Sequence, residues 1–259
     1  MRQLTRNLAG LLGFLLLWEA AVRAGLVPQK FLPPPSVVLT RMVELLGQEA
    51  FLRDVIASAL AWAIALGIAT AIAVPAGLLL GSIPGLRLAT RSIVEFLRPI
   101  PSVALIPLVI LLVGGGPEAK ITLAVYAATW PILYNTIYAF DEIDPLVIDT
   151  ARTCGTRKAR ILTSVALPHT APFIFTGIRM SGAIALIVVV STEFVAGADR
   201  GLGNFILEAS SGAGRMDLVL AGTMVAGVLG YLINEGLERL GRRLFRWHAA
   251  TVATTEAVS

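Results

Sequence analysis

Runs of about 20 apolar residues, the length that spans a bilayer, recur along this chain and set its reading. They predict about six membrane spans, at Leu8–Val27, Val55–Gly81, Ile100–Gly114, Ile121–Phe140, Ala171–Ala196 and Leu218–Leu237. The third is short, is broken at its start by Pro99, Pro101 and Pro107, and ends at Gly114–Gly116. Broken helices occur in membranes where the backbone lines a cavity or is covered by protein, so this segment is expected to border a pathway.

Between the fourth and fifth spans, Asp141–Thr170 breaks the apolar pattern and includes "DTARTCGTRKARILTSVALP" at Asp149–Pro168. Pro145 can open a helix whose apolar face is Ile143, Leu146, Val147 and Ala151, and Gly155 supplies its stop. A second short helix is expected, with Ala159, Leu162 and Ala166 on one side and Arg157, Lys158 and Arg160 near its start, ended by Pro168. A part-apolar, part-basic helix–turn–helix at a membrane surface is a docking shape. Composition alone fits an amphipathic loop resting on lipid headgroups equally well.

Composition turns the pattern into a class. With 56% hydrophobic and 15% charged residues and a mean hydropathy of +0.79, the chain is too apolar for a soluble domain and reads as an all-α polytopic membrane protein. An even number of spans puts both ends on one side. The ends and even-numbered connections hold thirteen Lys and Arg residues, Arg98 among them, against seven on the other side. The positive-inside rule therefore predicts cytoplasmic termini, and the net charge of +4 needs no nucleic-acid partner. The basic, apolar start resembles a secretory signal, but no small-x-small site precedes "LPPPS" at Leu32–Ser36, so a retained first helix is expected. The expected division is 1–54 (first helix and external Pro-rich loop), 55–247 (transmembrane core with the loop 141–170) and 248–259 (a frayed tail).

The chemistry the sequence offers is sparse. One cysteine, Cys154, and no Cys/His cluster argue against a disulfide framework or a metal site. No Gly-x4-Gly-Lys-Ser/Thr loop is present, so ATP, if it drives this protein, is bound with its Mg by another chain. No nucleophile and base are paired within the spans, so no catalytic residue is proposed. Ionisable groups at membrane depth are the functional candidates. Glu193, with Ser191 and Thr192 beside it, either lines the pathway, latches an outer gate, or is a buried carboxylate bonded to a neighbouring helix or to the Gly201–Gly203 turn. Glu19 reads as an interface or helix-packing residue, and Arg179 either attracts an anion or snorkels to the headgroups. Further pathway candidates are Pro101 in the broken span and Thr129, Trp130, Tyr134 and Asn135 on span four, where 130 and 134 share a face. An ATP-independent secondary transporter or channel is the rival class, which commonly carries an inverted repeat and midplane ion-coupling residues.

The loop resembles the cytoplasmic motif of the inner-membrane permease subunits of binding-protein-dependent ABC importers: Glu-Ala-Ala, three residues, Gly, nine residues, Ile-x-Leu-Pro. Here Asp149, Thr150 and Ala151 are followed by three residues, Gly155, nine residues, and Val165, Ala166, Leu167 and Pro168. Asp149 for Glu and Thr150 for Ala keep charge and small size. The likeness extends to "LRPIPSVALIPLVILLVGGGPEAK" (Leu97–Lys120), "STEFVAGADRGLG" (Ser191–Gly203) and "LERLGRRLFRWH" (Leu237–His248), which look like the branch importing sulfonates, taurine, nitrate and bicarbonate, with relatives for thiamine precursors, riboflavin and aromatic acids. Many sulfonate and nitrate members carry a Trp before the acidic position of span five and a Trp-Phe-Gly after span three, where this chain reads "AIALIVVVSTEF" and "LLVGGG". The resemblance implies a MetI-like permease fold with cytoplasmic coupling helices in the bacterial plasma membrane. It also implies two ATPase subunits, a second permease copy (the same chain or a homologue), and a periplasmic or lipid-anchored binding protein. Asp149, Thr150, Ala151, Gly155, Val165, Leu167 and Pro168 would then couple ATPase closure to movement of the spans.

Overall fold

In a computed structural model, residues 2–197, 199–211 and 214–245 are described, and every regular element among them is helical. The expected tail 248–259 and the basic end at Arg246 and Trp247 lie outside the described residues. Backbone that meets hydrocarbon must satisfy its own N–H and C=O groups, and an apolar helix is the cheapest way to do so.

Prolines start many of the helices. Pro35, Pro84, Pro117 and Pro145 occupy the first turns of α2 (Pro35–Leu46), α4 (Pro84–Leu97), α6 (Pro117–Asp141) and α7 (Pro145–Thr153), where a missing N–H costs nothing. The remaining elements are α1 (Arg2–Arg23), α3 (Glu49–Ser82), a 3₁₀ turn at Ser102–Leu105, α5 (Ile106–Val113), α8 (Lys158–Ile161), a π turn at Leu162–Ala166, α9 (Leu167–Ala196), α10 (Leu202–Ser211) and α11 (Met216–Leu244).

Among the described residues, Glu49–Ser82, Leu162–Ala196 and Met216–Leu244 are long and apolar enough to cross a membrane singly. The predicted third span differs: its helix has only eight residues, and with the 3₁₀ turn it forms one half of a pair bent by 77° against α4. Together the two halves make a fourth candidate span. The predicted first and fourth spans are occupied by α1 and α6, whose hydropathy is diluted by Arg6, Glu19 and Arg23 in one and by Asn135, Pro131 and the tyrosines in the other. The Pro-rich region is not all loop, since α2 begins at Pro35.

Contacts divide the chain into two units, Met1–Ala59 with Val190–Leu229, and Leu60–Val189 with Gly230–Ser259. The first centres on Val38, Leu45, Phe51, Leu202, Ala221 and Val225, with Phe51 and Phe205 meeting edge-on at 4.7 Å between centroids. Here Glu19 does more than pack: its carboxylate accepts from the N–H (3.0 Å) and hydroxyl (2.8 Å) of Ser36 and so caps α2, whose own N-cap, Pro34, has no side chain able to do so.

The second unit is held by close helix approach. Ala65, Ala69 and Ala73 are fully buried along one stripe of α3, and Gly77 lies so near α6 that a Cβ would stand 2.5 Å from Thr136 Cβ. Gly177 of α9 meets the Pro131 carbonyl and Ile132 in the same way. Ser181 donates to the Ala128 carbonyl at 2.6 Å, fixing α9 on α6. Arg179 is engaged within the protein: its Nε donates to Asn234 at 3.0 Å and its terminal nitrogen pairs with Glu238 at 2.7 Å, tying α9 to α11.

Candidate functional site

Two places carry the residues singled out from sequence, and a third explains Glu193. The first is the loop. Asp144 caps α7, accepting the Leu146 N–H at 2.8 Å with Pro145 at the first helical position. Asp149 lies on the outer face, 64% exposed, paired with Arg152 at 3.1 Å, and the Thr150 hydroxyl donates back to the Leu146 carbonyl.

The helix ends at Gly155, whose φ of +75° is the left-handed conformation a side chain resists. Its N–H donates to the Arg152 carbonyl and the Thr156 N–H to that of Ala151, at 2.9 and 3.1 Å. This is the paired closure in which a glycine reverses a helix end. No residue of α7 is buried, and Leu146 and Val147 stand exposed.

Past the turn, Pro168 does not end the second helix as expected. The chain runs from α8 through the π turn into α9, with the Leu167 N–H reaching back to Leu162. The wider turn accommodates a proline, which has no N–H to donate, in the first turn of α9. Val165 is half-buried within the π turn, while Leu167 and Pro168 are exposed.

The second place is a cavity of about 540 Å³ on α6, which collects four of the pathway candidates, Pro101, Trp130, Tyr134 and Asn135, but not Thr129. It also collects residues not singled out from sequence. Tyr126, Trp130, Tyr134 and Tyr138 form a ladder one turn apart, with Tyr126 edge-on to Trp130 at 5.6 Å and Tyr134 tilted on Tyr138 at 5.7 Å. The i, i+4 spacing seen for 130 and 134 reaches both outer rings when continued.

Arg98, assigned from sequence to a cytoplasmic connection, sits instead in the break between the two halves of the bent pair. Its guanidinium lies over the Tyr134 ring at 4.4 Å from the centroid. The Tyr126 hydroxyl donates to the Leu97 carbonyl at 2.6 Å, pinning the break to α6. The Asn135 amide donates to the Pro131 carbonyl one turn back on its own helix at 2.8 Å. At the far end of α6 from its Pro start, Arg87 grips Asp141 through two bonds of 2.7 and 2.8 Å and holds that carboxyl below the usual carboxylate range.

Glu193 and Ser191 are not on that cavity. Glu193 is fully buried in the first unit, where its carboxyl accepts from Ser58 Oγ (2.7 and 2.9 Å) and from the Gly203 N–H (3.0 Å). Ser58 Oγ in turn accepts the Leu202 N–H at 2.9 Å, and Asp54 accepts the Gly201 N–H at 3.1 Å. Three successive donors at the start of α10 are thus met by side chains of α3 and α9. Gly201, with φ +144° and the Glu193 carboxyl pressed against the place of a Cβ, has no room for a side chain.

Long apolar helices, a bent span beside an aromatic cavity, and an exposed helix–turn–helix define a multi-pass transport subunit. Residues 69–246 match the family described as the binding-protein-dependent transport system inner membrane component. The taurine transport system permease protein of Escherichia coli is 31% identical over 252 residues, covering 95% of this chain and 91% of that one. The bicarbonate transport system permease protein of a Synechocystis species is 28% identical over 242 residues, covering 89% and 85%. Among solved structures, an inward-facing form of the MetNI methionine ABC transporter superposes with a TM-score of 0.65 at 23% identity, covering 78% of this chain and 97% of that chain. A bacterial alginate ABC transporter gives 0.60 at 17% identity, covering 93% and 94%. The chain belongs to the family of binding-protein-dependent inner-membrane permease subunits, the transport component of ABC importers.

Proposed function

We propose that this permease works as a pair, with itself or with a homologous chain. Two ATPase subunits that bind ATP and Mg lie on the cytoplasmic side, and a periplasmic or lipid-anchored binding protein delivers a small solute to the outer mouth. Both termini lie in the cytoplasm of a bacterium, in keeping with an excess of basic residues on that side that remains, ten to seven, when Arg87, Arg91 and Arg98 of the bent pair are left out. ATP binding closes the ATPases, the loop around Gly155 moves with them, and the α6 cavity changes its access. Taurine and bicarbonate, the cargoes named for relatives, set the scale of the solute: small and polar, of the sulfonate, nitrate, vitamin-precursor or aromatic-acid kind.

The observation that carries the docking role is α7 itself: a capped helix closed by a left-handed glycine, with Leu146 and Val147 facing outward and no residue of its own buried. Apolar side chains held out on a rigid turn are suited to a groove on a partner. The test is substitution at Gly155. A Cβ there meets nothing within 4 Å, so space is not limiting and conformation alone is probed. A β-branched residue pays roughly 1–2 kcal/mol to adopt the left-handed region, whereas Asn tolerates it. Gly155→Val is expected to leave the protein inserted but separate ATP hydrolysis from uptake, and Gly155→Asn to retain coupling. Unchanged coupled uptake in Gly155→Val refutes the docking role.

A further inference from the structure

The α6 cavity has a one-sided electrostatic character. Arg98 is the sole charged residue on its wall, with no Asp or Glu among the lining residues. On the two adjoining helices Asp141 is paired with Arg87 and Glu95 with Arg91, and Glu118, in the first turn of α6, is not among the residues lining the cavity. Among the described residues Arg98 forms no ion pair; its only side-chain contact of this kind is the Tyr134 face.

A guanidinium laid over a ring keeps its N–H edge available for a ligand, and that planar fork matches the oxygens of a carboxylate or sulfonate. Ser102, Tyr134 and Tyr138 line the same cavity, and none of their hydroxyls hydrogen-bonds another described residue. The wall therefore offers a cation and several hydroxyl donors with no competing acid, beside an aromatic ladder that suits an organic body. A volume of about 540 Å³ exceeds what a lone inorganic ion needs and falls in the range of small-molecule sites.

Placement strengthens the case. Arg98 stands at the break of a bent span, flanked by Pro99 and by Pro101, neither of which has an N–H. An ionisable group within a spanning segment is costly to keep without use. We propose that Arg98 and the Tyr134–Tyr138 face form an anion-selecting subsite for the carboxylate or sulfonate head of a small organic solute, so that the permease itself discriminates by charge. This rests on the reading of the α6 cavity as part of the solute path.

The test is calorimetric binding to the purified permease–ATPase complex in neutral detergent, with benzenesulfonate and benzoate as probes and benzenesulfonamide as the uncharged isostere. Both anions are expected to bind saturably, and the sulfonamide at least about tenfold more weakly, the scale of a lost charge-assisted hydrogen bond. Arg98→Gln is expected to weaken the anions by a similar factor without changing the sulfonamide, and Arg98→Lys to retain binding with a few-fold loss.

Equal binding of sulfonamide and sulfonate, anion binding indifferent to Arg98→Gln, or no binding of either anion overturns the subsite. So does binding of phosphatidylglycerol at Arg98 while the free anions fail, which would make it a lipid site. Hydrolysis of ATP by the same preparation separates the two readings. An active complex that ignores anions refutes only the subsite, while a chain that brings no ATPase refutes the assembly on which it rests.

Discussion

Replacing Ser58 by alanine removes one oxygen and affects two helices at once. Ser58 is fully buried; its hydroxyl donates to Glu193 and accepts the Leu202 N–H at 2.9 Å. Without it the Leu202 N–H is left in a dry interior, at a cost of about 1–3 kcal/mol, and Glu193 loses a donor worth about 0.5–1.5 kcal/mol. The combined loss of about 2–4 kcal/mol corresponds to a fall of about 5–10 °C in apparent Tm for a domain of this size. The measurement is thermal unfolding in detergent followed by circular dichroism; a thiol-reactive dye is unsuitable because Cys154 is exposed already. A Tm within about 1 °C of the wild type would refute the claim that Ser58 caps α10. The same chemistry gives a second check. Glu193→Gln disturbs the shared bonds from the other side, so the Ser58→Ala, Glu193→Gln double variant should lose less than the sum of the singles.

Gly177→Ala should lower stability by about 1–3 kcal/mol, because its Cβ would sit 3.0 Å from the Pro131 carbonyl and from Ile132 Cα, neither of which can swing away. Gly67→Ala, in the same kind of helix but with nothing within 4 Å, should be neutral or stabilising by up to about 1 kcal/mol; equal thermal shifts in the two variants would contradict the close α6–α9 approach. The Asp141 carboxyl, held below its usual range by Arg87, adds stability that is present above about pH 4 and is lost as pH falls through its depressed value. Both partners are substantially exposed, so the effect is at most about 1 kcal/mol. The difference in Tm between wild type and Arg87→Gln should shrink as pH drops from 6 to 3, and a constant difference would rule out the pair as its source.

Much of this architecture was legible in the chain because its strongest signals are local. Long apolar runs had to become helices, and Gly155 marked a helix end through its own lack of a side chain. Elements that the sequence hid are those defined by partners. In α4, a helix with no buried residue, the mixture of Arg87, Arg91, Glu95 and apolar positions reads as a loop beside a hydrophobic span. Arg98 was counted as a loop charge because nothing local shows that the flanking prolines bend a span there. Asp149 and Asp144 are both acceptable caps by type; Pro145 at the next position separates them. Pro168 misled because the π turn that accommodates it has no sequence signature.

The start of α10 has a bearing on how the chain is made. Its acceptors are Asp54 and Ser58, 147 and 144 positions earlier, and Glu193 from the preceding helix. A ribosome delivers α10 long after α3 has left it, so α10 completes its first turn only if α3 is in place when it emerges. A mis-inserted α3 would leave the Gly201 and Leu202 amide donors without acceptors in a segment where Gly201 has no side chain of its own to offer. The turn thus completes only in a chain whose α3 already stands where Asp54 and Ser58 can meet it.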